Sequence, residues 1–226
     1  MSDTSTQTDQ AKAAPPPTPA ARCPRAWVFL LALTAALLVF DLATKWAAFR
    51  FIADDPVHLD RTAALAYVQN APHLLHQLIP PHDPIVVIPS ILEFKLVLNP
   101  GAVFGSGAGK RWFFISFTIA VLLFTLFVFA RWTTPRDRAA HAAIALIISG
   151  GIGNLYDRIV YACVRDFLHP LPSVPLPFGI RWPNGSPELW PWVSNVADAY
   201  LIVGIAILML WMWRAPQPTK PGKPDP

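Results

Sequence analysis

Charge is scarce in this chain. Of 226 residues only 14% are Asp, Glu, Lys or Arg, while 54% are hydrophobic. A soluble domain carries about 25% charged residues, so the shortage excludes an ordinary water-soluble fold. Nine Trp and fourteen Phe point instead to a polytopic membrane protein. Cysteine is nearly absent too. Cys23 precedes the first long apolar run and Cys163 follows the third, so three crossings would put them on opposite sides of a membrane. That separation excludes a disulfide between them, and no cysteine pairs are available for a zinc site. There is no G-x-S-x-G, H-E-x-x-H or Walker loop, which argues against the commonest serine-hydrolase, zinc-peptidase and nucleotide-driven chemistries. No basic stripe with interleaved aromatics occurs, so nucleic acid is not an expected partner.

What the chain has is four long apolar runs, at about 26–51, 112–130, 139–156 and 193–213. Each approaches the roughly 20 residues needed to cross a ~30 Å hydrocarbon core. Lipid offers open backbone groups no partner, so each run is predicted to be a helix. Arg22 and Arg25 before a fifteen-residue apolar stretch also suit a cleavable signal peptide. Three further spans, and continuation of the run beyond Asp41, favour a retained helix. Residues 1–25 are rich in Ala, Pro, Thr, Ser and Gln, and residues 215–226 in Pro and Lys; both read as disordered tails.

Basic residues set the expected orientation. Arg131, Arg136 and Arg138 crowd the short connection between the second and third runs. Arg22 and Arg25 precede the first run, and Arg214, Lys220 and Lys223 follow the fourth. With four spans these clusters share one side, so both tails are expected in the cytoplasm and the long connections, about 52–111 and 158–192, outside. The first of these holds Ile85–Ile88 and an alternating run at 91–98 that ends at Asn99-Pro100-Gly101, a pattern that predicts a small extracytoplasmic β-sheet. The second is crowded with Pro and Trp, and Trp182, Trp190 and Trp192 suit a headgroup layer.

The few charges inside or beside the spans are the candidates for chemistry. Asp41 and Lys45 lie one helical turn apart and read best as an internal ion pair that helps to pack the bundle. Adjacent Asp157 and Arg158 either fix a turn at a helix end or, through the planar guanidinium, offer donors to a substrate carbonyl or lipid ester. Asp166 follows in Val-Arg-Asp-Phe. Asp198 stands one turn into the last apolar run, with Asn195 three residues before it on the same face. If Asp166 and Asp198 meet, mutual repulsion lets them hold one proton between them near neutral pH, leaving one as a base for water and the other as an acid. His73, His76 and His82 are spaced loosely enough that a metal site is a minor reading, and His141 and His169 read as incidental.

Five runs in order resemble the lipoprotein signal peptidase (signal peptidase II) family: DLATK at 41–45, NPGAVFG at 99–105, GGIGNLYDR at 150–158, VRDF at 164–167 and NVADAYLIVG at 195–204. The resemblance spans roughly residues 26–214. It implies a membrane aspartic endopeptidase that removes signal peptides from prolipoproteins on the amino side of a diacylglyceryl-modified cysteine. The family's catalytic aspartates match Asp166 and Asp198. Its polar residues around the dyad and substrate match Asn99, Gly101, Asn154, Arg158 and Asn195, while Asp41, Lys45 and Asp157 fall on supporting positions. Also implied are the bacterial inner membrane, membrane lipids as surroundings, a monomer, no metal or organic cofactor, and inhibition by cyclic-peptide antibiotics. Cys23 precedes its apolar run, so it is not a lipobox cysteine of this chain's own. Leu42 stands where the family often has Gln and Pro100 where it often has Thr. Both outer loops are longer than usual, and the Trp-rich one is expected to close over the scissile bond.

Two rival readings compete with the peptidase. A small transporter or assembly factor would use Asp41, Lys45, Asp157 and Asp198 as a polar path, but Asp157, Asp166 and Asp198 cluster toward one interface and the second run is almost uncharged. A catalytically dead relative would lack a dyad residue, and both are present.

Overall fold

The computed structural model describes residues 18–101 and 110–214. The expected tails, apart from residues 18–25, and the segment 102–105 of the second motif lie outside the described residues. Four long helices dominate: α1 (Pro24–Phe51), α3 (Arg111–Trp132), α4 (Arg138–Val160) and α5 (Val196–Arg214). A shorter helix, α2 (Arg61–Asn70), lies between α1 and a three-stranded sheet of β1 (Ile85–Ile88), β2 (Leu92–Asn99) and β3 (Val164–Pro170). The protein is thus an α-helical membrane protein with, among the described residues, four helices long and apolar enough to span a bilayer and a small appended sheet.

The composition of each long helix decides its position. α4 is rich in Ala, Ile and Gly, and 67% of its most apolar stretch is buried, against 22%, 22% and 11% for α1, α3 and α5. It is the central helix and packs against the other three. Large apolar side chains on the outer helices face away from the protein, among them Val39, Phe113, Phe117 and Met209. In water that surface would be costly; in lipid it is the required solvent-facing side.

Between apolar helices in lipid, attraction comes mainly from close packing, so small residues mark the contacts. The α4–α5 seam has one glycine from each helix against the other's backbone. A Cβ on Gly150 would stand 2.5 Å from the Ala197 carbonyl oxygen, and one on Gly204 2.8 Å from that of Ala143. Those two absences let the helices approach over about two turns.

The sheet runs β1-β2-β3, antiparallel throughout. β1 pairs with β2 as the alternation predicted, Ile85 opposite Phe94. The third strand was not predicted: the VRDF run forms β3 instead of a loop beyond the helix. Asn99 pairs with Val164, Leu98 with Arg165 and Val97 with Asp166, and a bulge separates these pairs from Phe94–Leu168. Backbone pairing through that register sets Asp166 beside the end of β2. α2 was also unforeseen; Asp60 caps it by accepting from the Ala63 N–H at 2.7 Å, and Ala64 and Val68 bury its inner face with Leu96, Leu98 and Phe167.

The α4–α5 seam yields a direct test. Gly204→Val should cost about 1–3 kcal/mol through overpacking, visible as a lower midpoint of thermal unfolding in detergent. Ala199→Val, on an exposed position of the same helix, should leave the midpoint unchanged. Equal midpoints for both variants would contradict the close-approach account.

Candidate active site

The end of α4 does not stop at Tyr156; the helix continues to Val160, so Asp157 is an interior helical residue and fully buried. With no water to solvate it there, Asp157 must be neutralised by partners. Arg165, the second residue of β3, grips Asp157 Oδ1 through Nη2 at 2.8 Å and Nε at 3.2 Å, and its backbone N–H donates to Oδ2 at 3.1 Å. Lys45 Nζ lies 3.6 Å from the same carboxylate and 3.0 Å from Asp41 Oδ2. All of Lys45, Asp41 and Asp157 are inaccessible to solvent. Two cations against two carboxylates make this four-residue cluster neutral.

Asp41 has a second task. Its Oδ1 accepts the Ala197 N–H of α5 at 2.9 Å, one of the four donors that a helix start leaves without an intrahelical partner. Asn195 and Asp198 take up others by a reciprocal capping box. Asn195 Oδ1 accepts from the Asp198 N–H at 3.2 Å, and Asp198 Oδ2 accepts from the Asn195 N–H at 3.0 Å. The start of α5 therefore fixes Asp198 by local chemistry, with the helix dipole favouring its negative charge.

Asn195 is the hub of the site. Fully buried, its Nδ2 donates to Asp166 Oδ1 at 2.6 Å and to Asn154 Oδ1 at 3.1 Å. Asn154 Oδ1 also accepts from Lys45 Nζ at 3.0 Å, which orients its amide so that Nδ2 donates to Asp198 Oδ1 at 2.8 Å. The other oxygen of Asp166 accepts from Asn99 Nδ2 at 3.1 Å, and Asn99 Oδ1 accepts the Gly101 N–H at 3.0 Å. Arg158 Nη1 and Nη2 donate to the carbonyls of Asn154 and Gly101, each at 3.1 Å. All ten polar positions singled out in the sequence thus belong to one connected network, drawn from α1, β2, α4, β3 and α5.

The two carboxylates differ in surroundings. Asp166 is buried and Asp198 half-exposed. Burial, and then the charge of Asp198, push the Asp166 pKa up to about 7, against the opposing pull of the amide donors of Asn195 and Asn99. A carboxyl poised there can both hold and release a proton near neutrality.

Three sets of residues escaped the sequence reading. Arg61 Nε donates to the Ile159 carbonyl at 3.0 Å and Arg111 Nε to that of Arg158 at 2.8 Å, satisfying carbonyls left open where α4 ends. Arg165 was read only as a neighbour of Asp166, because a partner eight residues back in a helix gives no periodic signal. His169 is not incidental: it is buried, with Nδ1 2.7 Å from Glu93 Oε1 and Nε2 3.2 Å from the Trp190 carbonyl. It clips the Trp-rich loop to the sheet, where Trp182 and Trp192 meet edge to face. His141 packs on Phe129 and contacts Thr133 Oγ1 at 3.1 Å, a buried structural role. His76 Nδ1 faces the His73 carbonyl, while His82 Nε2 accepts the Leu96 N–H.

Residues 33–214 match the family model described as signal peptidase (SPase) II. The chain belongs to the signal peptidase II family. Similar curated proteins are lipoprotein signal peptidases from Syntrophotalea carbinolica, 31% identical over 75% of this chain and 95% of that one, and from Desulfitobacterium hafniense, 32% identical over 58% and 74%. Among solved structures, a bacterial membrane enzyme at 2.3 Å resolution superposes with a TM-score of 0.54 at 21% identity, covering 86% of this chain and 93% of that one. That likeness speaks for the fold. Membership in the signal peptidase II family makes this multi-pass membrane protein an aspartic-type peptidase.

Two tests follow from the buried cluster. Asp157→Asn leaves Lys45 and Arg165 under-compensated and should cost roughly 3–5 kcal/mol, whereas Asp54→Asn, exposed, should cost almost nothing; unfolding midpoints in detergent decide. Cys163 is fully buried and its thiol is pushed up to about 12, chiefly by burial. A maleimide at pH 8 should therefore label half-exposed Cys23 and spare Cys163 in the folded protein. Rapid double labelling would show that the β3 start is open.

Proposed function

We propose that the protein cleaves lipoprotein signal peptides with Asp166 and Asp198 as a water-activating dyad, on the amino side of a diacylglyceryl-modified cysteine. The observation that carries this reading is the shared clasp of Asn195, whose amide holds Asp166 and whose backbone and side chain fix Asp198. In the resting pair one proton is held, drawn toward Asp166 by its burial. Ionised Asp198 takes a proton from water as its oxygen attacks the scissile carbonyl carbon. Asp166 gives its proton to the carbonyl oxygen, forming a neutral gem-diol. As the C–N bond breaks, the proton on Asp198 passes to the leaving amine and a gem-diol proton returns to Asp166. Atoms and charge balance without a metal or organic cofactor.

Arg158, Asn99, Gly101 and Asn154 keep the carboxylates aligned and leave the charge of the ionised dyad opposed by one nearby guanidinium. The substrate's signal helix lies among the spans with its acyl chains in lipid, and lateral entry supplies positioning. The arginine-rich ends of the helices support cytoplasmic termini, an active site at the outer face and residence in the bacterial inner membrane. The Trp-rich loop clipped by His169 shields the bond from bulk water, and cyclic peptides that mimic the bound strand would compete for the dyad.

The experiment is cleavage of a diacylglyceryl-modified prolipoprotein by purified protein. Asp166→Asn and Asp198→Asn should each lower turnover by about 100- to 10,000-fold while remaining folded; robust cleavage by either folded variant would overturn the mechanism. The parent's kcat/KM should fall as pH rises through about 7, because the pair then loses its proton and with it the acid. It should fall again in acid, where both carboxyls are protonated and no base remains. A profile flat from pH 6 to 9 would contradict the shared proton.

A further inference from the structure

A second concave site is bordered by Arg165 but not by Asp157. Its volume is about 260 Å³, and Trp46, Phe49, Arg50, His58, Tyr161 and Arg165 line it. Two features make it a built site for an anion. Arg165 is buried, with its guanidinium stacked over Tyr161 at 4.3 Å. Asp157 occupies its Nε and Nη2, while Nη1 has no hydrogen-bond partner among the described residues. Arg50 supplies a second guanidinium from the last turn of α1. The exposed carboxylates of the following segment, Asp54, Asp55 and Asp60, do not line the cavity.

The position identifies the source of the anion. Val39, Trp46 and Arg50 are spaced by seven and four residues, so they share one face of α1. Val39 is 67% and Trp46 59% exposed, a lipid-facing stripe that ends in an aromatic ring and then a cation, the arrangement found at a membrane's headgroup layer. The cavity falls below the ~300–1,000 Å³ of small-molecule pockets. It suits a headgroup whose acyl chains stay outside along Trp46 and Val39.

We propose that this pocket binds the phosphodiester of an anionic phospholipid, of the phosphatidylglycerol kind. The phosphate accepts from Arg165 Nη1 and Arg50, and the glycerol lies against His58 and Tyr161. A zwitterionic lipid carries its own cation into the same space and binds less well. The site is separate from the dyad and does not depend on how the peptide bond is cut.

The test is native mass spectrometry of the full-length protein in detergent with phosphatidylglycerol or phosphatidylcholine added. The parent should hold one phosphatidylglycerol about tenfold more tightly than phosphatidylcholine. Arg50→Gln, at an exposed position, should erase that preference, and Arg50→Lys should restore part of it. Equal binding of the two lipids, or a preference unchanged in Arg50→Gln, would overturn the proposal. Displacement of the lipid by millimolar inorganic phosphate or glycerol 3-phosphate would assign the pocket to a soluble anion and overturn the lipid assignment. Failure of either aspartate variant in the cleavage assay leaves these outcomes untouched, so the two readings fail separately.

Discussion

Lys45 is an ammonium group cut off from both water and lipid head groups, and much of the structure follows from the need to neutralise it. A lone buried charge costs several kcal/mol even after relaxation. Three side chains therefore converge: Asp41 from one turn earlier, and Asp157 and Asn154 from the central helix. Once Asp157 is drawn in, Arg165 must follow, and it brings the start of β3 to the end of α4. Once Asp41 is drawn in, its free oxygen caps α5. One buried cation thus fixes the mutual placement of α1, α4, α5 and β3.

The dyad sits at the edge of this arrangement and inherits its rigidity. Lys45 sets the orientation of the Asn154 amide, Asn154 contacts Asp198 and Asn195, and Asn195 contacts Asp166. Asn99, Asn154 and Asn195 each have the amide oxygen on a donor and the nitrogen on a carboxylate or a second amide, which leaves little freedom to flip. The charges near the dyad are arranged so that the neighbouring ion cluster is neutral. Burial and like-charge repulsion between the aspartates then decide the proton's affinity, with Lys45 and the amide donors restraining its rise. Removing either aspartate changes acid–base behaviour; removing a member of the Lys45 cluster changes the frame.

The helices were legible because lipid permits few alternatives: an unbroken apolar run of some twenty residues has to be a helix. β1 was legible from the β-branched run Ile85–Ile88, and β2 from alternation in the run ending at Asn99. β3 was not, because Val164–Pro170 is buried on both faces and mixes Arg, Asp and His with apolar residues, so it shows no period of two. The capping relation of Asn195 and Asp198 could be read from their spacing, and the Asp41–Lys45 pair from theirs. Contacts between distant segments, such as Arg165 with Asp157 or His169 with Glu93, have no local signature and only the fold supplies them. The resemblance to signal peptidase II supplied the membership of the site, and the geometry explains why each member is there.

The central claim is that Asp166 and Asp198 share a single proton near neutral pH. Infrared difference spectroscopy of the protonated-carboxyl stretch, followed across pH in the purified protein, tests it without any substrate. The account predicts one protonated carboxyl at pH 6 that disappears with a midpoint near 7, that is absent in Asp166→Asn, and whose midpoint moves down in Asp198→Asn: the first removes the group that holds the proton, and the second removes the charge that adds to burial in retaining it. A parent with no protonated carboxyl at pH 6, or a band that persists unchanged in both variants, would contradict it.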